Sequence, residues 1–198
     1  MNTIEIQKNV DSKINDITTK LNLKESNDKL DQLTNCVKLQ KYIVQNNNEV
    51  TNLKDDYSSY DKSTMRTLQL RDAVLNNSSV GLFVAVEFQE ILKRTGVNVE
   101  CVGMGNRKGQ YHMANLVLLG DEWYLFDPNL EKALYNAKNG NNLNYAGLGT
   151  NSYLKDYQPE IIMPYNNENT KVPQNLAKDD IPNFFVNSIE NKEESKSK

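Results

Sequence analysis

The sequence is poor in the residues that build metal sites and disulfide frameworks. It contains one histidine and two cysteines among 198 residues. A single imidazole and two thiols as far apart as Cys36 and Cys101 give no ligand spacing for a metal ion, so we expect no metal and no cofactor. Two cysteines also make no disulfide framework, which favours a reduced, cytoplasmic setting. The run GMGNRKG lacks the strand–loop–helix context of a phosphate-binding loop.

Long apolar runs and an excess of one charge are also missing. No stretch approaches the roughly 18 apolar residues of a membrane span, and the first residues lack the basic start and apolar block of a secretory signal. The formal net charge is −3, with basic and acidic side chains mixed along the chain. We therefore expect neither a nucleic-acid nor a membrane partner. Asparagine is abundant, which indicates the codon bias of an AT-rich genome and a bacterial or phage source.

What is present is a polar chain with enough apolar residues for one core. Hydrophobic residues make up 38% of the sequence, and the length suits one domain with a helical extension. We divide the chain into an N-terminal amphipathic helix at 1–24, a domain at 25–188 and a flexible charged tail at 189–198. Helical spacing over 3–22 predicts a helix packed on the domain or an arm that binds a partner, with apolar positions Ile4, Ile6, Val10, Ile14, Ile17 and Leu21.

Two more helices precede the central part of the sequence. The first is predicted over 28–46, capped by Asn27 or Ser26, with its cysteine as a small buried hydrophobic residue. A polar connection at 46–64 leads to a short helix over 65–75. Both helices therefore lie upstream of the most apolar helix.

The most apolar helix is predicted over 81–95, where Ser78 or Ser79 can cap its start and Gly96 follows its end. Its first half is apolar nearly all round, with Leu82, Phe83, Val84, Ala85, Val86 and Phe88. Such a helix is buried on most sides, so we expect it at the centre of the core.

Strands follow this helix. The runs VNVECVGM, YHMANLVLLG and EWYLFDP alternate or carry β-forming residues, and a tight turn at Gly120 separates the last two. Beyond Pro128 the sequence turns polar, and NAKNGNNLN is predicted as a loop. Short apolar pieces at 143–147, 161–164 and 181–186 are predicted as late strands or edge packing.

One pair of residues on these strands suggests chemistry. His112 and Asp127 stand on neighbouring strands that follow a buried helix. A histidine and an aspartate facing a helix start make two thirds of a nucleophilic triad.

The segment from His112 to Asp127 resembles the His and Asp strands of transglutaminase-like proteins, a branch of the papain-like cysteine protease superfamily. The family typically reads H-A-W-N-x-V, a Gly-containing hairpin and W-Y-x-x-D-P-T. The matching positions here are His112, Asn115, Val117, Gly120, Trp123, Tyr124, Asp127 and Pro128. The resemblance implies an α+β fold with a papain/transglutaminase-like core, in which a buried central helix packs on an antiparallel sheet beside a helical N-terminal part.

The upstream pattern of that family, L-x-N-x-x-G-V-C-x-G-Y-A, puts a cysteine at the start of the buried helix. Asn76, Val80 and Ala85 follow its spacing, and the nucleophile position is then Gly81. Glycine has no thiol, so in this register thiol chemistry is lost. The tryptophan that follows the histidine is also replaced, by the run Met-Ala.

Three alternatives to a natural loss of the nucleophile remain open. Ser79 could pair with His112, although a helix cap is its ordinary role. Cys101 could supply the thiol, although its strand position is that of an interior residue. Gly81 could also be a deliberate replacement of the cysteine.

The leading functional hypothesis is a catalytically inactive transglutaminase-like protein that binds a peptide or protein through its degenerate cleft. His112 and Asp127 remain from the triad, and Ser79, Asn115 and Trp123 are the candidate binding residues. One rival is an active acyl transferase or peptidase with an unrecognised nucleophile. The other is an interaction module that works through its N-terminal helix.

Overall fold

The computed structural model of the chain describes residues 2–47, 57–78, 80–105, 111–138, 142–155, 163–164 and 173–194. Its helices are α1 Thr3–Lys20, α2 Lys29–Asn46, α3 Lys62–Leu70, α4 Gly81–Lys93, α5 Pro128–Lys138, α6 Thr150–Tyr153 and α7 Asn183–Glu194. Its strands are β1 Val99–Gly105, β2 Tyr111–Leu119, β3 Glu122–Phe126, β4 Ala146–Leu148 and β5 Met163–Pro164. Within these ranges no helix has the length and apolarity needed to cross a bilayer.

The strands form one antiparallel sheet in the order β4-β3-β2-β1-β5, as far as the described residues extend. The three central strands follow one another along the chain, because the connections β1–β2 and β2–β3 are short enough for antiparallel neighbours. With helices packed on it, the sheet confirms the predicted α+β class.

Helix α4 packs on β1 and β2 and is the buried central helix that its composition predicts. The side chains that it buries include Phe83, Val84, Ala85, Val86, Phe88, Ile91 and Leu92. Phe88 stacks on Phe126 of β3, with 5.9 Å between ring centroids. The helix is also tied to the sheet by polar contacts, since the Ala85 carbonyl accepts a hydrogen bond from Asn115 Nδ2 at 2.9 Å.

The N-terminal helices share this core. Val10, Ile14 and Ile17 of α1 are buried in the same apolar cluster as α4. This is the packed alternative for the first helix, because the domain covers most of its apolar face, although Ile4 at its start is exposed. Helix α2 is capped by Asp28, whose carboxylate accepts hydrogen bonds from two N–H groups of the first turn. The predicted caps Asn27 and Ser26 are therefore wrong.

Helix α3 begins earlier than predicted, because Asp61 caps it, and the chain continues as a π-helical turn over Arg71–Leu75. Helix α4 starts after Val80, and no side chain caps it through a hydrogen bond. Ser78 is buried and donates its own N–H to the Asp72 carbonyl, so the predicted cap at Ser78 is wrong. Ser79 lies outside the described residues.

The C-terminal third holds more helix than the sequence predicts. The stretch after Pro128 is helix α5, which includes the first residues of the predicted loop. Residues 183–186 belong to α7 and form no strand, whereas 146–148 form β4 as expected. Helix α7 runs to Glu194, so the boundary predicted at 188 falls inside a helix.

Candidate active site

His112 and Asp127 lie side by side where β2 extends beyond β3. Phe126, the last residue of β3, pairs with Asn115, so β3 ends three residues short of His112 along β2. Asp127 then leaves the sheet, and its Oδ2 atom lies 2.5 Å from Nε2 of His112. The aspartate side chain is fully buried, whereas the histidine side chain is 18% exposed. The imidazole therefore reaches the surface with one nitrogen held by a buried carboxylate.

Asp127 also begins helix α5. Its Oδ1 atom accepts the Leu130 N–H at 2.8 Å, and its carbonyl accepts the Glu131 N–H at 3.0 Å. Aspartate is a favoured helix cap, and proline is favoured at the first helical position, where Pro128 stands. The dipeptide Asp-Pro therefore explains why a helix starts here, and it was the sequence signal for the helix that we missed.

The helix start brings a residue to the site that the sequence did not single out. Asn129 lies in the first turn of α5, and its Nδ2 atom is 3.3 Å from Nδ1 of His112. A carboxamide N–H that donates to Nδ1 leaves the imidazole proton on Nε2, where Asp127 accepts it. Both ring nitrogens of His112 therefore face a partner on the segment 127–129.

Gly81, the first residue of α4, also lies beside Asn129. A Cβ atom built on Gly81 would stand 2.7 Å from Nδ2 of Asn129 and 3.2 Å from its Cγ. The same Asn129 carboxamide thus contacts both the helix start and His112. Glycine leaves room for that carboxamide because it has no side chain.

Cys101 lies away from this group. It pairs with Asn115 on β2, while Met104 pairs with His112, so the two positions are about 10 Å apart along the strands. Its Sγ atom is 3.2 Å from the Ala85 carbonyl, and burial raises the pKa of its thiol to about 12. A thiol that stays protonated at neutral pH is a poor nucleophile.

The structure does not bring two of the three candidate binding residues, Asn115 and Trp123, to His112. Asn115 is fully buried between α4 and the sheet, with Nδ2 bonded to the Ala85 carbonyl. Trp123 lies at the opposite end of β3 from Asp127, and its backbone pairs with Asn175 and Ala177. Ser79, the third candidate, is outside the described residues.

A crevice of about 380 Å³ lies beside Asp127. Its walls carry Ser152 and Asp180, whose side chains bond to each other at 2.7 Å. Tyr153 is 3% exposed, burial raises its pKa to about 12, and its hydroxyl has no hydrogen-bond partner among the described residues. The described residues that line the crevice are Leu125, Asp127, Leu134, Asn144, Tyr145, Leu148, Ser152, Tyr153, Asp180 and Asn183.

Glu131 fixes one wall of this crevice. Its buried carboxylate accepts the N–H groups of Asn144 at 2.7 Å and Tyr145 at 2.6 Å. Burial raises the pKa of Glu131, and the backbone N–H groups of Tyr145 and Asn144 oppose that shift. In the part of the chain that the structure describes, no cluster of three or more histidine, cysteine, aspartate or glutamate residues could hold a metal ion.

Comparison with known proteins gives a likeness to solved structures alone. No protein-family model and no curated protein matches the chain. A crystal structure from Cytophaga hutchinsonii, described as a "putative cysteine protease", is similar with 10% sequence identity and a TM-score of 0.38. The match covers 68% of this chain and 40% of that one, so this chain spans less than half of that protein's length. We argue the function of this chain from its own site.

Proposed function

We propose that this chain is a catalytically inactive protein of the transglutaminase-like branch of the papain-like superfamily. We further propose that it binds a peptide or protein segment in the crevice beside Asp127 without turning it over. The observation that carries the proposal is Gly81 at the start of α4, beside an Asn129 carboxamide that also contacts His112. The order of elements supports the assignment to this branch: a buried helix, the strand β1, a strand with His112, and then a strand that Asp127 directly follows.

The chemistry of the site explains why turnover is not expected. Acyl transfer in this superfamily needs a thiolate at the helix start, beside an imidazole that takes the proton. Gly81 has no atom to supply, and a carboxamide nitrogen is not a nucleophile at neutral pH. His112 is oriented by Asp127, but its other nitrogen faces Asn129.

The crevice is the proposed binding site for a peptide. Its exposed carboxylate, Asp180, and its buried Tyr153 hydroxyl lie among leucine side chains. Pockets that combine apolar walls with a few placed polar groups are the ordinary form of a ligand site. Backbone N–H groups and positively charged side chains of a peptide would match these acceptors, since carboxylates accept but do not donate when ionised.

Two measurements test the proposal together. A peptide array probed with the labelled protein should show a subset of retained peptides, and Asp180→Asn should weaken that subset by about tenfold, the loss of one charge-assisted hydrogen bond. Asp121→Asn is the matched control, because Asp121 is an exposed carboxylate in the β2–β3 turn, outside the crevice.

Turnover is checked with casein and a fluorescent amine, and separately with fluorogenic peptides. The wild-type protein should release or incorporate no more label than His112→Ala. Turnover that His112→Ala abolishes would contradict the inactive assignment. An array without retained peptides, or retention that Asp180→Asn leaves unchanged, would contradict the binding assignment.

A further inference from the structure

Asn129 and Gly81 fit together as a matched pair. The ideal Cβ position on Gly81 lies within 3.7 Å of three atoms of the Asn129 carboxamide, and the nearest, Nδ2, is at 2.7 Å. Non-bonded carbon and nitrogen atoms do not approach this closely, because van der Waals contact begins at about 3.5 Å. Any side chain at position 81 therefore requires the carboxamide to move.

The carboxamide can turn about its side-chain bonds, but only by giving up a contact. The backbone of Asn129 is held, because the residue follows Pro128, whose ring fixes φ at the first helical position, and precedes Leu130, whose N–H is bound by Asp127. Its side chain is directed at His112, with Nδ2 3.3 Å from Nδ1. Turning it away from position 81 breaks this contact with the imidazole.

We infer that Asn129 occupies the volume in which a nucleophile at position 81 would have to lie. Two residues therefore prevent catalysis: Gly81, which has no side chain, and Asn129, which fills the space. The inference rests on the proposed function only for the assignment of position 81 as the nucleophile position. Its consequence is specific: a cysteine restored at position 81 stays apart from His112 until Asn129 is shortened. Asn129 is thus a positioning residue, which blocks the approach of a thiol to Nδ1 of His112.

A cysteine introduced at position 81 makes the effect of Asn129 measurable, through the pKa of its thiol. A cysteine beside an imidazole at a helix N-terminus has a pKa well below the usual value of about 8.5, because the thiolate is paired with the protonated ring. In Gly81→Cys combined with Asn129→Ala, the thiol proton passes to Nδ1 of His112. The thiolate then attacks iodoacetamide: a carbon–sulfur bond forms, the carbon–iodine bond breaks and iodide leaves.

The experiment compares the rate of alkylation against pH for three variants of the full chain. Gly81→Cys alone should show a midpoint lowered from the ordinary value of about 8.5 only by the helix N-terminus. The double variant Gly81→Cys/Asn129→Ala should show a midpoint at least about one pH unit lower than that of Gly81→Cys, and a rate at pH 7 about tenfold higher. Adding His112→Gln to the double variant should return the midpoint to that of Gly81→Cys alone. The native Cys36 and Cys101 are buried and give little background.

The Tm of each variant shows whether it folds as the wild type does. Gly81→Ala should lower the Tm, and Asn129→Ala in the same chain should recover part of that loss, because it removes the contact at 2.7 Å. A double variant less stable than Gly81→Ala would overturn the inference. So would a lowered, His112-dependent midpoint in Gly81→Cys alone.

These outcomes do not depend on ligand binding. If the array retains no peptide but the alkylation midpoints behave as described, the binding function fails and the role of Asn129 stands. If peptides are retained but Asn129→Ala leaves the midpoint of the restored thiol unchanged, the binding function stands and the role of Asn129 fails.

Discussion

The Nε2 atom of His112 lies 2.5 Å from Oδ2 of Asp127, while the other oxygen of the same carboxylate caps helix α5 through the Leu130 N–H. One buried side chain thus orients the imidazole and starts the helix that carries Asn129. The histidine, the aspartate and the asparagine are coupled through a single carboxylate. A change at Asp127 therefore acts on all three.

Asp127→Ala should lower the free energy of unfolding by about 2–4 kcal/mol. A lost helix cap costs about 1 kcal/mol, and a buried hydrogen-bond donor left without its acceptor costs a further 1–3 kcal/mol or so. Asp127→Asn is the control, because asparagine caps helices as well as aspartate and its carbonyl can accept one of the two hydrogen bonds. Urea unfolding of both variants measures the difference. An Asp127→Ala variant as stable as the wild type would contradict the cap and hydrogen-bond roles given to this carboxylate.

Glu87 should make the stability of the protein depend on pH. It is buried in α4, and burial raises its pKa to about 8 from 4.5, although the bond from Asn47 Nδ2 opposes the shift. Between these two values the unfolded chain loses the proton and the folded chain keeps it. The free energy of unfolding therefore falls as pH rises from about 4.5 to about 8, and is flat above that.

Glu87→Gln removes this slope, because glutamine keeps the bond to Asn47 and does not ionise. Near pH 4 the variant and the wild type should unfold alike, and at pH 8 the variant should be more stable by about 2–4 kcal/mol. Urea unfolding across this range is the measurement. Glu25→Gln, an exposed glutamate, is the matched control and should leave the slope unchanged. A wild-type slope that survives Glu87→Gln would assign the pH dependence to another group.

Glu131→Ala should loosen the crevice wall at 144–145. Two backbone N–H groups lose their acceptor, and each unsatisfied buried donor costs about 1–3 kcal/mol. Hydrogen exchange at Asn144 and Tyr145 should speed up by more than about tenfold, since 1.4 kcal/mol is a factor of ten. Glu131→Gln keeps one carbonyl oxygen and should show a smaller change. Equal exchange in all three proteins would mean that other contacts hold this segment.

The two cysteines should not react with thiol reagents in the folded protein. Both are free and buried, and burial raises the pKa of both thiols. Ellman's reagent should report no thiol in the native protein and two after addition of guanidinium chloride. Rapid labelling of one thiol in the native state, slowed by His112→Ala, would instead favour an active enzyme that uses Cys101.

Periodicity and turn chemistry were enough to predict much of the fold. The apolar run that became α4, and the strands that became β1 to β3, carry local signals that packing reinforces. The helix after Asp127 was missed because its polar residues were read as a loop, although Asp-Pro is a cap followed by a favoured first helical residue. The serine caps were misplaced because aspartate capped α2 and backbone contacts decided the start of α4.

The sequence by itself determined the α+β class, the central helix, the strand order from β1 to β3 and the glycine at position 81. It could not determine what stands beside that glycine. Asn129 and Gly81 are 48 positions apart in the chain, and nothing in the local pattern of either one reports the other. Only the tertiary structure decides their contact, because β3 must end early, Asp127 must cap α5, and α4 must pack against that helix before the carboxamide meets the empty side of the glycine.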